Sequence, residues 1–465
     1  MENTNISRRK VVAGAAWAAP VVAASAVVPA YAASNCTDFN TTATLGNTTT
    51  DGSLVTKTFT VPTGVTSIKF TVVGAAGGGG RGASAGLNYA GGAGAQVTGT
   101  LAVTPGQTLT LTAAGGGIQN YNKFNSNSGP NFAGDTWFHN TGGKGWNGAN
   151  GGDTANLWDD HISDADSLTN GEMNKRKGNI FAHQNVTEQY PLPQAGGNPT
   201  NLLYARATPR YGGSGGGASA LLLDGDLVAV AGGGGGAGIG WSANYPQATA
   251  PTGSVFANSS APGGYAGTSP NAPSVTWNTQ TGSFVTTVTP GGNGATSSGG
   301  TITPGTAASA GTSTVNASGY VNKTNANGTF YSRNAASVAG GTYAGASSDW
   351  GMTAVYQGEA PGSGNYQAAA MISPGAGGGG YGGGASGVSV ASSYQATSPD
   401  SAGKYNVIGA IHGSGGGAGG SFVSTKLASD GAIATANNAN TVGGSRVNGN
   451  IVLSYCTDNG GTVSL

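Results

Sequence analysis

Residues 158–167 read WDDHISDADS and gather Asp159, Asp160, Asp164 and Asp166 around His161. Carboxylates this close together could ligate calcium, a hard cation that takes oxygen ligands. The stretch lacks the glycine of a calcium loop, and a solvated acidic turn facing the basic run NKRKGN is the competing reading. Two serines have nucleophile-elbow spacing, in Gly82-Ala83-Ser84-Ala85-Gly86 and Gly212-Gly213-Ser214-Gly215-Gly216. That motif needs a strand–turn–helix context, and neither site precedes a helical pattern. His412 opens HGSGGG, which mimics an oxyanion loop and meets the same objection. The histidines at 139, 161, 183 and 412 have no metal-ligand spacing. Matches to G-x-G-x-x-G carry no meaning without a βαβ unit. The expectation is no catalytic residue, no cofactor and no enzymatic activity, with the four aspartates as the only metal candidates.

Aromatic residues are the other candidates. Tyr89, Trp241, Tyr265, Trp277, Tyr343, Trp350 and Tyr381 sit in or beside glycine-rich loops. Rings on rigid loops suit flat ligand surfaces, sugars and proteins included. They could equally cap or wedge the glycine segments.

The elements that must position these residues read as strands. The runs 53–61, 66–73, 95–103 and 107–113 are rich in Val, Thr, Leu and Phe, and turns at Pro62-Thr63-Gly64 and Pro105-Gly106 separate them. Leu109 and Leu111 alternate with threonines, the pattern of antiparallel strands with one buried face. ASALLLDGDLVAVA reads as a hairpin about Asp224-Gly225. Runs at 282–289, 420–425 and 448–455 complete eight or nine short strands. No long 3.6-residue stripe appears outside the N-terminus, so the class is all-β.

Glycine clusters interrupt the strand series and repeatedly lead straight into a strand, as in GGSGGGASALL and GSGGGAGGSFVST. They lack the third-residue period of collagen. Ordered glycine costs roughly 0.5–1 kcal/mol more than alanine, so 88 ordered glycines require a compensating gain. Close approach supplies one: extended chains without Cβ atoms can pack together and satisfy each other's backbone groups. A slack linker is the alternative. Residues 118–210 and 242–370 read as insertions, the second as long polar loops.

The chain has 465 residues with 18 basic and 18 acidic side chains. No basic excess exists to neutralise phosphates, which excludes nucleic acid; the zero net charge also excludes charge-rich disorder. At the N-terminus, Arg8 and Arg9 precede about 18 small apolar residues and the triplet Ala30-Tyr31-Ala32. These are the parts of a cleavable export signal over 1–32. The arginine pair resembles a twin-arginine signal, although Lys10-Val11-Val12 fits it loosely. An uncleaved anchor is the alternative, since the run could nearly span a bilayer. No second apolar span follows, so the mature chain, 33–465, is expected to be extracellular without a membrane span. Its two cysteines, Cys36 and Cys456, each open a Cys-Thr-Asp triplet. Outside the cell they are expected to form a disulfide, with two free thiols as the alternative.

The succession FTVVGAAGGGGRGASAGLNYAGGAGAQVTGTLAVTPGQTLTLTAAGGG, then GGSGGGASALLLDGDLVAVAGGGGGAG, then NGNIVLSYC, resembles the glycine-rich extracellular domain of the anaplastic lymphoma kinase and leukocyte tyrosine kinase receptors, and glycine-rich secreted bacterial proteins. The likeness covers 53–117, 212–240 and 375–455. It implies a jelly-roll-like β-sandwich with polyglycine-II-type helices packed as a hexagonal bundle, plus irregular polar loops. The lattice residues would be Gly77, Gly78, Gly79, Gly80, Gly215, Gly216, Gly217, Gly232, Gly233, Gly234, Gly235, Gly236, Gly377, Gly378, Gly379, Gly380, Gly415, Gly416 and Gly417. The receptors' membrane span and kinase are absent, so signalling does not carry over, and no motif matches their cytokine-binding residues. The expected function is a rigid, non-enzymatic surface protein that presents loops for adhesion or for recognition of a protein or glycan. A wall or matrix component without a specific ligand is the alternative.

Overall fold

The computed structural model describes residues 38–81, 88–119, 140–155, 205–238, 240–245, 271–278, 283–290, 296–298, 301–304, 306, 314–315, 329–333, 336–356, 367–395, 407–441, 444–458 and 460–465. The first 113 residues form β1 (Thr41–Gly46), β2 (Val55–Thr60), β3 (Ser67–Val73), β4 (Gly80–Arg81), β5 (Asn88–Tyr89), β6 (Ala95–Ala102) and β7 (Thr108–Ala113). Then come β8 (Ala205–Tyr211), β9 (Ser219–Leu223), β10 (Asp226–Ala231), β11 (Gly240–Tyr245), β12 (Asn271–Asn278), β13 (Ser283–Pro290), β14 (Thr296–Ser298), β15 (Thr301–Thr303) and β16 (Thr314–Val315). The last are β17 (Thr329–Arg333), β18 (Gly351–Tyr356), β19 (Gln367–Ser373), β20 (Ser389–Gln395), β21 (Val407–Gly413), β22 (Phe422–Val423), β23 (Ala428–Thr435), β24 (Asn450–Tyr455) and β25 (Gly461–Ser464). Among the described residues the only helix is a single 3-10 turn at Trp146–Gly148. The class is all-β.

Alternation builds the first module. In β6 the buried positions recur every second residue, and β3 and β24 repeat the pattern. A six-stranded sheet runs in the order β23-β6-β3-β24-β1-β25, antiparallel except between β1 and β25. A five-stranded sheet runs β2-β7-β9-β10-β22. One apolar cluster takes side chains from both: Leu45, Ile68, Phe70 and Leu101 from the first, Leu109, Leu111, Leu221 and Val228 from the second. Each large side chain so buried contributes about 1.5–3 kcal/mol. The β9–β10 turn falls at Asp224-Gly225 as its sequence predicts; φ is +48° at Asp224 and +92° at Gly225. The Asp224 carboxylate accepts hydrogen bonds from Thr108 N and Gln107 Nε2, tying the turn to β7.

A second module pairs two four-stranded sheets, β11-β21-β20-β16 and β17-β18-β19-β8, with β11 against β19 and β18 against β21. Glycine segments run between the modules. Residues 212–218 lead from β8 to β9, 232–238 from β10 towards β11, and 414–421 from β21 to β22. Residues 374–388 leave β19, double back at Tyr381-Gly382 and enter β20.

Strands β12 and β14 to β18 fall inside the stretch 242–370, which reads in the sequence as long polar loops, while β13 matches the strand run expected at 282–289. Residues 140–155, inside the other expected insertion, are glycine segments of the same layer. Threonine and alanine in β1 (TTATLG) and β23 (ASDGAIAT) gave too weak an alternation to mark those strands.

Candidate functional site

Residues 213–218 show how the glycine layer is held. Gly213 N and Gly216 N donate to Ala237 O and Gly234 O at 2.8 and 2.9 Å. Ser214 N and Gly217 N donate to Ile118 O and Gly115 O; Gly215 N and Ala218 N donate to Gly152 O and Ala149 O. The carbonyls accept in the same rhythm. Gly213 O and Gly216 O accept from Ala376 N and Gly379 N, Ser214 O and Gly217 O from Gly78 N and Ala75 N, and Gly215 O and Ala218 O from Gly143 N and Trp146 N. Six residues thus bond to six neighbouring segments, each neighbour being met again three residues later. All six residues are buried, so this pairing is what burial of backbone demands.

Gly232–Gly236 obey the same rhythm. Gly233 N and Gly236 N donate to Gly379 O and Ala376 O, and Gly234 N and Ala237 N to Ala75 O and Gly78 O. Gly232 N donates to the Ser421 hydroxyl at 2.9 Å. A Cβ added to Gly233, Gly234, Gly235 or Gly236 would lie under 3.0 Å from a neighbouring backbone carbonyl. None of these glycines has positive φ. Glycine is required here for close approach and not for an unusual backbone conformation.

Ser214, the serine of the elbow-like motif, is fully buried. Its hydroxyl donates to Thr141 O and accepts from Ile118 N, both at 2.8 Å. That is a structural role. The second elbow-like stretch, 82–86, lies outside the described residues. So do Asp159, Asp160, His161, Asp164 and Asp166, the arginines Arg8 and Arg9, the Ala30–Ala32 triplet, Cys36 and Tyr265. Among the described residues no group of three or more His, Cys, Asp or Glu side chains could hold a metal ion.

Of the candidate aromatics, Tyr89 lies in β5, Trp241 in β11 and Trp277 in β12. Trp350 is buried at 4 % exposure. Tyr343 and Tyr381 come together in a half-buried row with Trp146 and Phe422, at centroid separations of 5.7, 6.2 and 4.7 Å. Each ring rides on a fixed turn or strand. Trp146 opens a turn made by Asn147 at φ +48° and Gly148 at φ +77°. Tyr381 N donates to Gly420 O, Gly380 N donates to Tyr343 O, and Phe422 pairs with Val230 across β22 and β10. Beneath the row lie Ala149, Ala218, Ala220 and Val230, all fully buried. The Tyr381 and Phe422 rings stack on each other at 27°, and Trp146 meets Tyr343 edge-on at 66°. Such mutual packing makes the row a seal over the small residues of the layer. Trp146 and Phe422 were not singled out in the sequence; an aromatic next to the end of a glycine run was the available signal.

The termini are held at the other end. β24 starts beside the glycine layer, where Gly449 N donates to Ala114 O, and ends at Tyr455, paired with Thr41. There Asn40 Nδ2 donates to Thr457 O, Thr457 N donates to Asn40 Oδ1, and the Thr41 and Thr457 hydroxyls lie 2.6 Å apart. Cys456 is disulfide-bonded. Between the layer and the first module, Arg446 donates to Gly116 O, Thr141 O and Thr141 Oγ1. Desolvation lowers its pKa, opposed by the charges of Asp51 and Asp153.

The opposite pole belongs to the second module. Ala205, Tyr245, Tyr356, Gln367, Gln395 and Val407 are the strand ends farthest from the glycine layer, as the registers of β8, β11, β18, β19, β20 and β21 require. In the sequence, 246–270, 357–366 and 396–406 follow Tyr245, Tyr356 and Gln395, and 156–204 precedes Ala205; these four stretches lie outside the described residues. Among the described residues no helix is long and apolar enough to cross a membrane. No protein-family model matches the chain, and no curated protein matches its sequence.

Proposed function

We propose that this is a secreted, non-enzymatic surface protein whose glycine layer is a rigid spacer. The layer would hold the displayed loops of one pole away from the termini at the other. The observation that carries the reading is this separation: strand ends at one pole bound four long polar stretches, and Asn40, Thr457 and Cys456 meet at the other. The three-residue rhythm and six-neighbour packing of 213–218 support reading the layer as a hexagonal bundle of polyglycine-II-type helices. The shared apolar core supports reading the first module as a jelly-roll-like β-sandwich, in line with the resemblance to glycine-rich receptor domains. We assign the partner of Cys456 as Cys36, the chain's other cysteine, which suits an oxidising compartment. Rigid scaffolds that carry variable loops are the common arrangement for recognition.

The test is binding of the mature chain to immobilised glycans and to intact cells, before and after replacing 246–270 and 396–406 with short Gly-Ser links. Saturable binding that disappears with the loops, at unchanged thermal unfolding, is the expected result. Saturable binding that survives their removal would sink display by these loops. Non-saturable retention in envelope fractions would favour a wall component.

A further inference from the structure

The first module has four edge strands, and three carry devices against pairing with another chain. β22 is two residues long. β23 is broken by a bulge between Ser429 and Ala432, where Asp430 takes φ +53°. β2 carries Lys57 on the same strand face as Phe59, which is buried in the core. Antiparallel pairing of β2 with its own copy, centred on Lys57, would bring Lys57 opposite Lys57. β25 has none of these devices. It runs in unbroken parallel register beside β1, all four residues are exposed, and 459–465 contain no ionisable side chain. Val463 lies opposite Ala43, a fully buried core residue, yet is 42 % exposed, and among the described residues no strand pairs with the outer edge of β25.

We propose that β25 is a self-association edge and that its occupant is β25 of a second copy of this chain. An antiparallel contact centred on Val463 sets Val463 against Val463, Thr462 against Ser464 and Gly461 against Leu465. The contact is self-complementary, as a two-fold interface must be. It puts apolar on apolar and no charged side chain on like charge. Four residues make a small interface, so the pair is weak and forms where copies are concentrated, as on a surface.

The experiment is sedimentation equilibrium of the full mature chain over a wide concentration range, with amide exchange read on the peptide 456–465. The expected result is a monomer–dimer equilibrium in which protection of 461–464 rises with concentration. Val463→Lys should weaken association at least ten-fold while circular dichroism and unfolding stay unchanged. Lys57→Val, which removes the guard of a second edge, should extend dimers into chains. A monomer at every concentration, or dimers that Val463→Lys leaves intact, would overturn the proposal.

Discussion

The apolar core of the first module and the glycine layer beside it are equally buried, and opposite physics holds them. In the core, Phe70, Leu101 and Leu111 exclude water with their side chains, and the backbone serves to space them. In the layer there are almost no side chains, and the backbone is itself the packing surface. A core position accepts another side chain of similar volume at modest cost, usually below about 1.5 kcal/mol. Gly233 to Gly236 accept no side chain, because the space a Cβ would fill already holds a neighbour's carbonyl. The core distributes its energy over many non-directional contacts. The layer depends on directional bonds, in which moving one segment disturbs six others.

The largest expected effect breaks the layer. Gly236→Ala sets a methyl against the backbone of Gly213, under 3.0 Å away. We expect a loss beyond about 4 kcal/mol, the range reserved for such mechanisms, or no folded protein at all, read by urea unfolding. Gly46→Ala, in β1 with open space around it, should stay within about 1 kcal/mol of the parent. A similar loss at both glycines would refute close approach as the reason for glycine.

Next comes the core. Leu101→Ala, at a fully buried position, should cost about 2–5 kcal/mol. Leu101→Met should recover most of that loss, whereas no residue larger than glycine should rescue position 236.

Ser214→Ala is smaller and probes a buried hydroxyl that bridges 118 and 141. It leaves Thr141 O and Ile118 N without that partner. A loss of about 1–3 kcal/mol is expected, with faster amide exchange confined to 114–119 and 140–145.

The smallest effect is a pH limb of the first module. Burial raises the Tyr455 pKa. A raised folded-state pKa gives stability that is present below the unfolded value, about 10, and lost as pH rises through the folded value. Melting temperature should therefore fall above about pH 10, and Tyr455→Phe should blunt that fall. A steep alkaline limb that survives the substitution would move its origin elsewhere. At acid pH, hydrogen bonds from Ser53 hold the Asp51 pKa low, so the turn it anchors weakens only as pH drops through that lowered value.

The sequence was most legible where side chains alternate. β6, β7 and the β9–β10 hairpin lie within a residue or so of their expected bounds, because Leu109-Thr110-Leu111 and Asp224-Gly225 are local signals. It was least legible where residues are small. β1 is mostly threonine and alanine, and residues 140–155 read in the sequence as part of an insertion, although Gly143, Gly145 and Gly151 pack in the layer. Of the aromatic row, Tyr343 and Tyr381 were visible as rings beside glycine. Trp146 and Phe422 join them only through contacts spanning far more sequence than any motif.

The residue types by themselves determined that this chain is all-β, that its strands have one apolar face, and that its glycine runs had to be slack or packed without Cβ atoms. Only the tertiary structure decided between those two, and which runs are neighbours. A glycine carries no side chain to name its partner, so nothing in Gly232–Gly236 specifies Ala75, Gly379 or Gly419. The strands at either end of each segment fix its place and register, and the hydrogen-bond partners of the layer follow from the folding of the sheets that frame it.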